Sequence, residues 1–246
     1  MEAFHLVFLR ASEAKLDRSR YVVKGGVNLR AWFGSQRYSE DMDLDVLNGE
    51  VFDWRDRVDA MLRAPAFVKL LQSQGLSISR ASKPKQTETT QRWKFGLRQA
   101  GSEVELHTKI ELSRRGSQDE FVLEPVLSEV VRPCGIPAPA ANHYTASSAI
   151  WQKIAALAGR RETQARDVWD LDHVFRTIRS EIGPLPSRLV APLAVAVDRV
   201  LDMPFEIFRG QVVPYLTPEA QELSGTAGGR RRIQEHVFER LAELQK

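Results

Sequence analysis

The segment Asp41-Met42-Asp43-Leu44-Asp45-Val46 alternates carboxylate and apolar side chains without a break. A period of two is the mark of an extended strand with one face in a core and the other in water. On such a strand, residues two apart lie roughly 6.5–7 Å from each other on one face. Asp41 and Asp43 therefore present two carboxylates side by side, while Met42 and Leu44 anchor the strand. Like charges this close are costly unless something positive neutralises them. Two divalent ions about 3.5–4 Å apart would do so, and would also activate an attacking oxygen and stabilise a departing pyrophosphate. Taken alone, the D-x-D pattern is better read as an exposed edge strand with solvated aspartates. Asp45 shares the face one step beyond the pair and reads as a capping or surface residue.

The surroundings shift this balance toward chemistry. Tyr21-Val22-Val23 is a short apolar strand that stops at Gly25-Gly26, and Val27 to Phe33 suits a short helix closed by Gly34. A glycine turn between strand and helix offers bare amides and a helix N-terminus to phosphate. The nearby Gly34-Ser35 pair follows the helix instead of opening it, and reads as a turn. Arg92 to Arg98 alternates with Trp93, Phe95 and Leu97 on one face. Glu103 to Leu112 alternates more clearly, with Val104, Leu106, Ile110 and Leu112 on one side and Glu105, His107, Lys109 and Glu111 on the other. Glu111 supplies the third carboxylate that a two-metal site needs.

Phe121 to Val131 reads as a less regular strand. The stretch Arg132-Pro133-Cys134-Gly135-Ile136-Pro137-Ala138-Pro139 continues neither helix nor sheet and reads as a linker. Before it, helices are expected over 1–18 and 51–74; after it, over 145–160, 166–180, 186–203 and 230–246. The expected organisation is an α+β domain over 1–131 and a helical domain over 140–246. Apolar residues make up 43% and charged residues 27% of the 246, ordinary for a globular protein. No apolar run approaches the roughly 20 residues of a membrane span, and the acidic start is a poor signal peptide. A single cysteine, Cys134, excludes an internal disulfide. A cytoplasmic location is expected.

In the helical half, Lys153 sits within Ile150-Trp151-Gln152-Lys153-Ile154-Ala155-Ala156-Leu157. Either its ammonium snorkels to solvent or it faces a partner. Ala165-Arg166-Asp167-Val168-Trp169-Asp170-Leu171 opens the next helix, with Val168, Leu171, Phe175 and Ile178 as core stripe. Asp167 and Asp170 lie one turn apart; ordinary roles are helix-dipole stabilisation and an Arg166–Asp170 pair. Cations cluster at Arg80/Lys83/Lys85, Arg92/Lys94/Arg98, Arg160/Arg161/Arg166 and Arg230/Arg231/Arg232. Any one cluster is better read as a solvated face; with a pI near 9.1, several around an acidic site point more toward a polyanion such as RNA or a nucleoside triphosphate.

Lys24-Gly25-Gly26-Val27-Asn28-Leu29-Arg30 followed by Arg37-Tyr38-Ser39-Glu40-Asp41-Met42-Asp43-Leu44 resembles the AbiEii/AbiGii nucleotidyltransferases of the DNA polymerase β-like superfamily. Lys109-Ile110-Glu111-Leu112 matches their later acidic strand, and the lysine and Arg-Asp-x-x-Asp-Leu of the helical half extend the likeness over about residues 20–180. The resemblance implies a polymerase β-like domain with a mixed sheet, followed by a helical C-terminal domain. It implies magnesium, in one or two ions, on Asp41, Asp43 and Glu111. It further implies a triphosphate held by Gly25, Gly26 and Lys153, and Asp167 in the active site as a base. Arg37, Ser39, Lys109 and Arg166 are further substrate-binding candidates, with Arg37 and Ser39 positioning either the acidic strand or a phosphate. The implied reaction transfers a nucleoside monophosphate to a hydroxyl, with the 3′ end of tRNA as first acceptor to test. The setting is a toxin–antitoxin or abortive-infection system whose antitoxin is a separate DNA-binding protein. The alternatives are nucleotidylation of a small molecule or a protein, and a non-catalytic nucleic-acid-binding module.

Overall fold

The computed structural model describes residues 1–116, 119–178 and 182–245. Contacts divide the chain into two compact units: residues 1–34 with 39–144, and residues 35–38 with 145 onward.

The first unit is an α+β body around one seven-stranded mixed sheet. Its strands are β1 (Tyr21–Lys24), β2 (Met42–Val46), β3 (Leu76–Gln86), β4 (Thr90–Gln99), β5 (Glu105–Ser113), β6 (Phe121–Pro125) and β7 (Ala140–Tyr144). They lie in the order β3-β4-β5-β2-β1-β7-β6. The helices are α1 (Glu2–Lys15), α2 (Gly25–Phe33), α3 (Val51–Arg63), α4 (Pro65–Ser73) and the single turn α5 (Ser128–Val131). The acidic strand β2 is central, antiparallel to β1 and parallel to β5. Its Met42 and Leu44 are fully buried, as the alternation requires. Trp93, Phe95, Leu97, Ile110 and Leu112 join them in a core closed by Phe4, Val7 and Phe8 of α1.

Several expectations need correction. The helix expected over 51–74 is two helices, because Ala64 stands at φ −63°, ψ 133°, the extended state that a following proline favours. Val104 lies outside β5 and is exposed. The strand expected over 121–131 ends at Pro125, and residues 128–131 turn helical. Strand β3 carries alternation only at Leu76 and Ile78 and is exposed over residues 79–84, so its sequence hides it; two register shifts interrupt its pairing with β4. Strand β7 is Ala-Ala-Asn-His-Tyr after a proline-rich stretch, and it completes the sheet between β1 and β6. The first unit therefore extends to Tyr144 and does not stop at 131.

The second unit is helical: α6 (Ala146–Gly159), α7 (Ala165–Thr177), α8 (Val190–Leu201), α9 (Phe205–Gln211), α10 (Pro218–Ser224) and α11 (Ala227–Glu243). Thr145 caps α6 by accepting from the Ser148 amide, and Thr226 caps α11 through Gly229. Val168, Leu171 and Phe175 are buried as the stripe predicts, among Ile150, Ile154, Leu157, Val200, Phe208, Val237 and Leu241; Ile178, the fourth of that stripe, stands just past the end of α7 in extended backbone and is half-buried. The ends of the helices expected over 166–180 and 230–246, at residues 179–180 and 246, lie outside the described residues. Residues 35–38 pair with this unit: Arg37 bridges Leu216, and the Tyr38 amide donates to the Tyr215 carbonyl at 2.8 Å. No helix among the described residues is long and apolar enough to cross a membrane.

Candidate active site

In the first unit, pairing register decides which side chains share a face. Lys24 on β1, Asp43 on β2, Glu111 on β5 and Arg92 on β4 form one row across the sheet. Glu111 receives Arg92 at 2.7 Å from Nε and 2.6 Å from Nη2. Asp41, just before β2, accepts from Lys109 twice, from Nζ at 2.7 Å and from the backbone amide at 3.1 Å. Ser39 donates to the Asp41 carbonyl at 2.8 Å, so its hydroxyl sets the entry of the acidic strand.

Asp43 differs from both. Its carboxylate is half-buried and takes no ion pair among the described residues. Burial pushes its pKa up; Lys109 and Lys24 pull it down, and Glu111 and Asp41 push it up again. Gly25 packs against it: a Cβ at that position would stand 3.3 Å from Asp43 Oδ2, and the backbone there has φ +69°, where glycine carries little strain. Residues 25 and 26 open α2, whose N-cap, Lys24, makes no side-chain capping bond. The first amides of α2 are thus left for solvent or an acceptor.

Asp45 is neither cap nor surface residue. It is buried, with Lys24 Nζ at 2.6 Å and Tyr144 Oη at 2.8 Å. Since the strand face runs from open at Asp41 to closed at Asp45, two of the three aspartates remain for chemistry.

The second unit holds a separate ionic cluster. Lys153 Nζ lies 2.8 Å from Asp167 and 2.6 Å from Asp170; Arg160 reaches Asp167 at 2.8 Å. Arg37 grips Asp170 with two nearly parallel bonds of 3.0 and 2.9 Å. Both carboxylates are fully buried. Burial works against the charges of Lys153 and Asp170, but their partners outweigh it. The two carboxylates hold Lys153 above its usual range, and Arg37 with Lys153 hold Asp170 down at about 2. Lys153 does not snorkel, and Asp170 is paired by Arg37 and Lys153, with Arg166 taking no part.

The expected residues therefore gather into two groups: Gly25, Gly26, Ser39, Asp41, Asp43, Lys109 and Glu111 in one, Arg37, Lys153 and Asp167 in the other. Sequence reasoning missed Arg92 as the partner of Glu111 and Arg160 and Asp170 as members of the second cluster. Asp170 was visible three residues after Asp167; nothing in the sequence announces that Arg37 would meet it. Among the described residues, no three His, Cys, Asp or Glu side chains are placed so that together they could hold a metal ion. The donors nonetheless suit a hard divalent cation: three carboxylates on one face, the central one desolvated and lacking a cation of its own.

The family model for the AbiEii toxin nucleotidyl transferase of type IV toxin–antitoxin systems matches residues 7–223. No curated protein sequence matches the chain. Among solved structures, the chain is similar to MenT4, a nucleotidyltransferase toxin from Mycobacterium tuberculosis, with TM-score 0.63 and 18% identity over 100% of this chain and 92% of that one. It is also similar to JHP933 from Helicobacter pylori, with TM-score 0.61 and 16% identity over 99% of this chain and 90% of that one.

Proposed function

Because the chain belongs to the AbiEii family of nucleotidyltransferase toxins of type IV toxin–antitoxin systems, we propose that the face bearing Asp41, Asp43 and Glu111 is where it transfers a nucleoside monophosphate from a triphosphate to an RNA hydroxyl, the tRNA 3′ end being the first acceptor to test. The observation that carries this reading is the pairing of Asp43 with Glu111 in register, against Gly25.

In this reading the acceptor hydroxyl attacks the α-phosphate. The bond to the β-phosphate breaks, pyrophosphate leaves, and the hydroxyl proton is released. The open amides at residues 25 and 26 hold the terminal phosphates. Asp41, Asp43 and Glu111 would hold magnesium, which supplies charge neutralisation at the phosphates. Lys109 must then release Asp41, and Arg92 must share or release Glu111; both cations are only partly buried, so these exchanges are open to solvent.

The cluster in the helical unit favours a positioning role for Lys153 and Asp167 over direct phosphate contact and base catalysis. The Lys153 ammonium is already matched by two carboxylates, and both oxygens of Asp167 are already engaged, Oδ1 by Lys153 and Oδ2 by Arg160. The test is incubation with each labelled triphosphate and total RNA, with magnesium or with chelator. Label on one RNA class, lost with chelator, supports the reading; label on protein or on no macromolecule overturns the RNA acceptor.

A further inference from the structure

The two N-terminal cation clusters do not behave alike once folded. Lys83 turns to the helix side of the sheet and pairs with Asp59 of α3. Lys85 is in register with Arg92, and Arg92 with Glu111; Lys94 is in register with Lys109, and Arg98 with Glu105. Directly paired residues share a face, so Lys85, Lys94 and Arg98 lie on the face that carries Asp43. Lys94 and Arg98 are exposed, and none of the three makes an ion pair among the described residues. Apart from Glu111, the carboxylate in register with these cations is Glu105, and it is engaged by Ser79 and Arg80.

We propose that this face is a track for the phosphate backbone of a single-stranded RNA end, running from the β3 edge to the carboxylates. It deepens the RNA-acceptor reading and rests on it for the identity of the strand. From β3 to β2 are three interstrand steps, roughly 14 Å, and Arg98 lies six residues along β4 from Arg92, roughly 20 Å, so the cations extend both across and along the face that carries Asp43. The aromatic residues of β4, Trp93 and Phe95, are buried on the other face. The track therefore offers charge without stacking platforms, and binds backbone and not bases. Transfer to a terminal hydroxyl needs a strand end, which such a track delivers.

Edge protection is the competing account of cations on a sheet. It suits Lys85 on the outer strand β3, but not Lys94 and Arg98, because β4 is paired on both sides.

The test is the triple variant K85Q/K94Q/R98Q, with K83Q as comparator, in fluorescence anisotropy with labelled single-stranded RNA oligonucleotides of several sequences. The triple variant should bind every sequence more weakly, and its log Kd against log salt slope should fall by about 2, three charges at roughly 0.7 each. K83Q should bind as wild type, and the KM for the triphosphate should be unchanged in both. Equal affinity and slope for the triple variant and wild type overturn the proposal, as does a loss confined to one sequence. If binding falls as expected but the wild type transfers no nucleotide to RNA, the track stands and the acceptor reading fails.

Discussion

Asp43 and Glu111 stand opposite each other where β2 and β5 run parallel, two carboxylates on adjacent strands of which only Glu111 has a cation of its own. A stability-driven design would not place them so, because like charges on facing positions destabilise a sheet. Their arrangement makes the face an electrostatic sink for a positive ion, and the predictions begin there.

Asp43→Asn should lower nucleotide transfer by at least about 100-fold, beyond what changes outside a metal's own ligands cause. Its stability should be equal or higher. The folded pKa of Asp43 is raised, so the stability it contributes is present at low pH and lost as pH rises through the folded value. Near neutrality the charged group is a net cost that asparagine removes. Thermal unfolding alongside the transfer assay checks both halves; near-normal turnover in saturating magnesium would refute the ligand role.

Gly25→Ala should be impaired in two ways. The positive φ costs a side chain about 1 kcal/mol, and the new Cβ presses on Asp43 Oδ2. Turnover should fall more than stability does. Chemical denaturation and kinetics at saturating triphosphate separate the two, and full turnover would remove Gly25 from the site.

Lys153→Ala leaves Asp167 and Asp170 buried with less positive charge, and breaking a buried pair from one side costs about 3–5 kcal/mol. The main effect should be a large fall in stability. If the variant instead unfolds like wild type while its KM for the triphosphate rises, Lys153 contacts phosphate directly and its positioning role is wrong.

Acid should release the same cluster. Asp170 sits at about 2 against an ordinary 3.8, so its contribution is present above 3.8 and lost as pH falls toward 2. The contribution is roughly 2 kcal/mol. Wild type should therefore lose more stability between pH 5 and 3, roughly the upper part of that window, than Asp170→Asn does. Parallel urea titrations across this range measure it; identical pH profiles would show that Asp170 does not hold its charge in the fold.

The β2 strand and the polar face of β5 were legible because their period and composition agree with their burial; the helix after β1 was legible too, but it opens at Gly25 itself and not after a glycine turn. Strands β3 and β7 were not, since an exposed edge needs no apolar alternation and a short strand of small and polar residues borrows its order from neighbours. The sequence leaves Lys153 between solvent and a buried partner, because a helical pattern does not say what stands opposite it. Arg37 was harder: its 133-residue separation from Asp170 leaves no local trace, and a motif position beside the acidic strand suggested a different neighbour. Asp45 misled for the opposite reason, as periodicity assigns a face but not how far that face stays open.

The short segment 35–38 interrupts the first unit and belongs with the second, carrying the guanidinium that grips Asp170. The polypeptide thus passes between the units at three places, not one. A recombination event at residue 144 would deliver a helical half lacking its own arginine and would leave that arginine behind in the donor. The two halves are bound to a shared inheritance, so an active hybrid must exchange residues 35–38 together with everything after Tyr144.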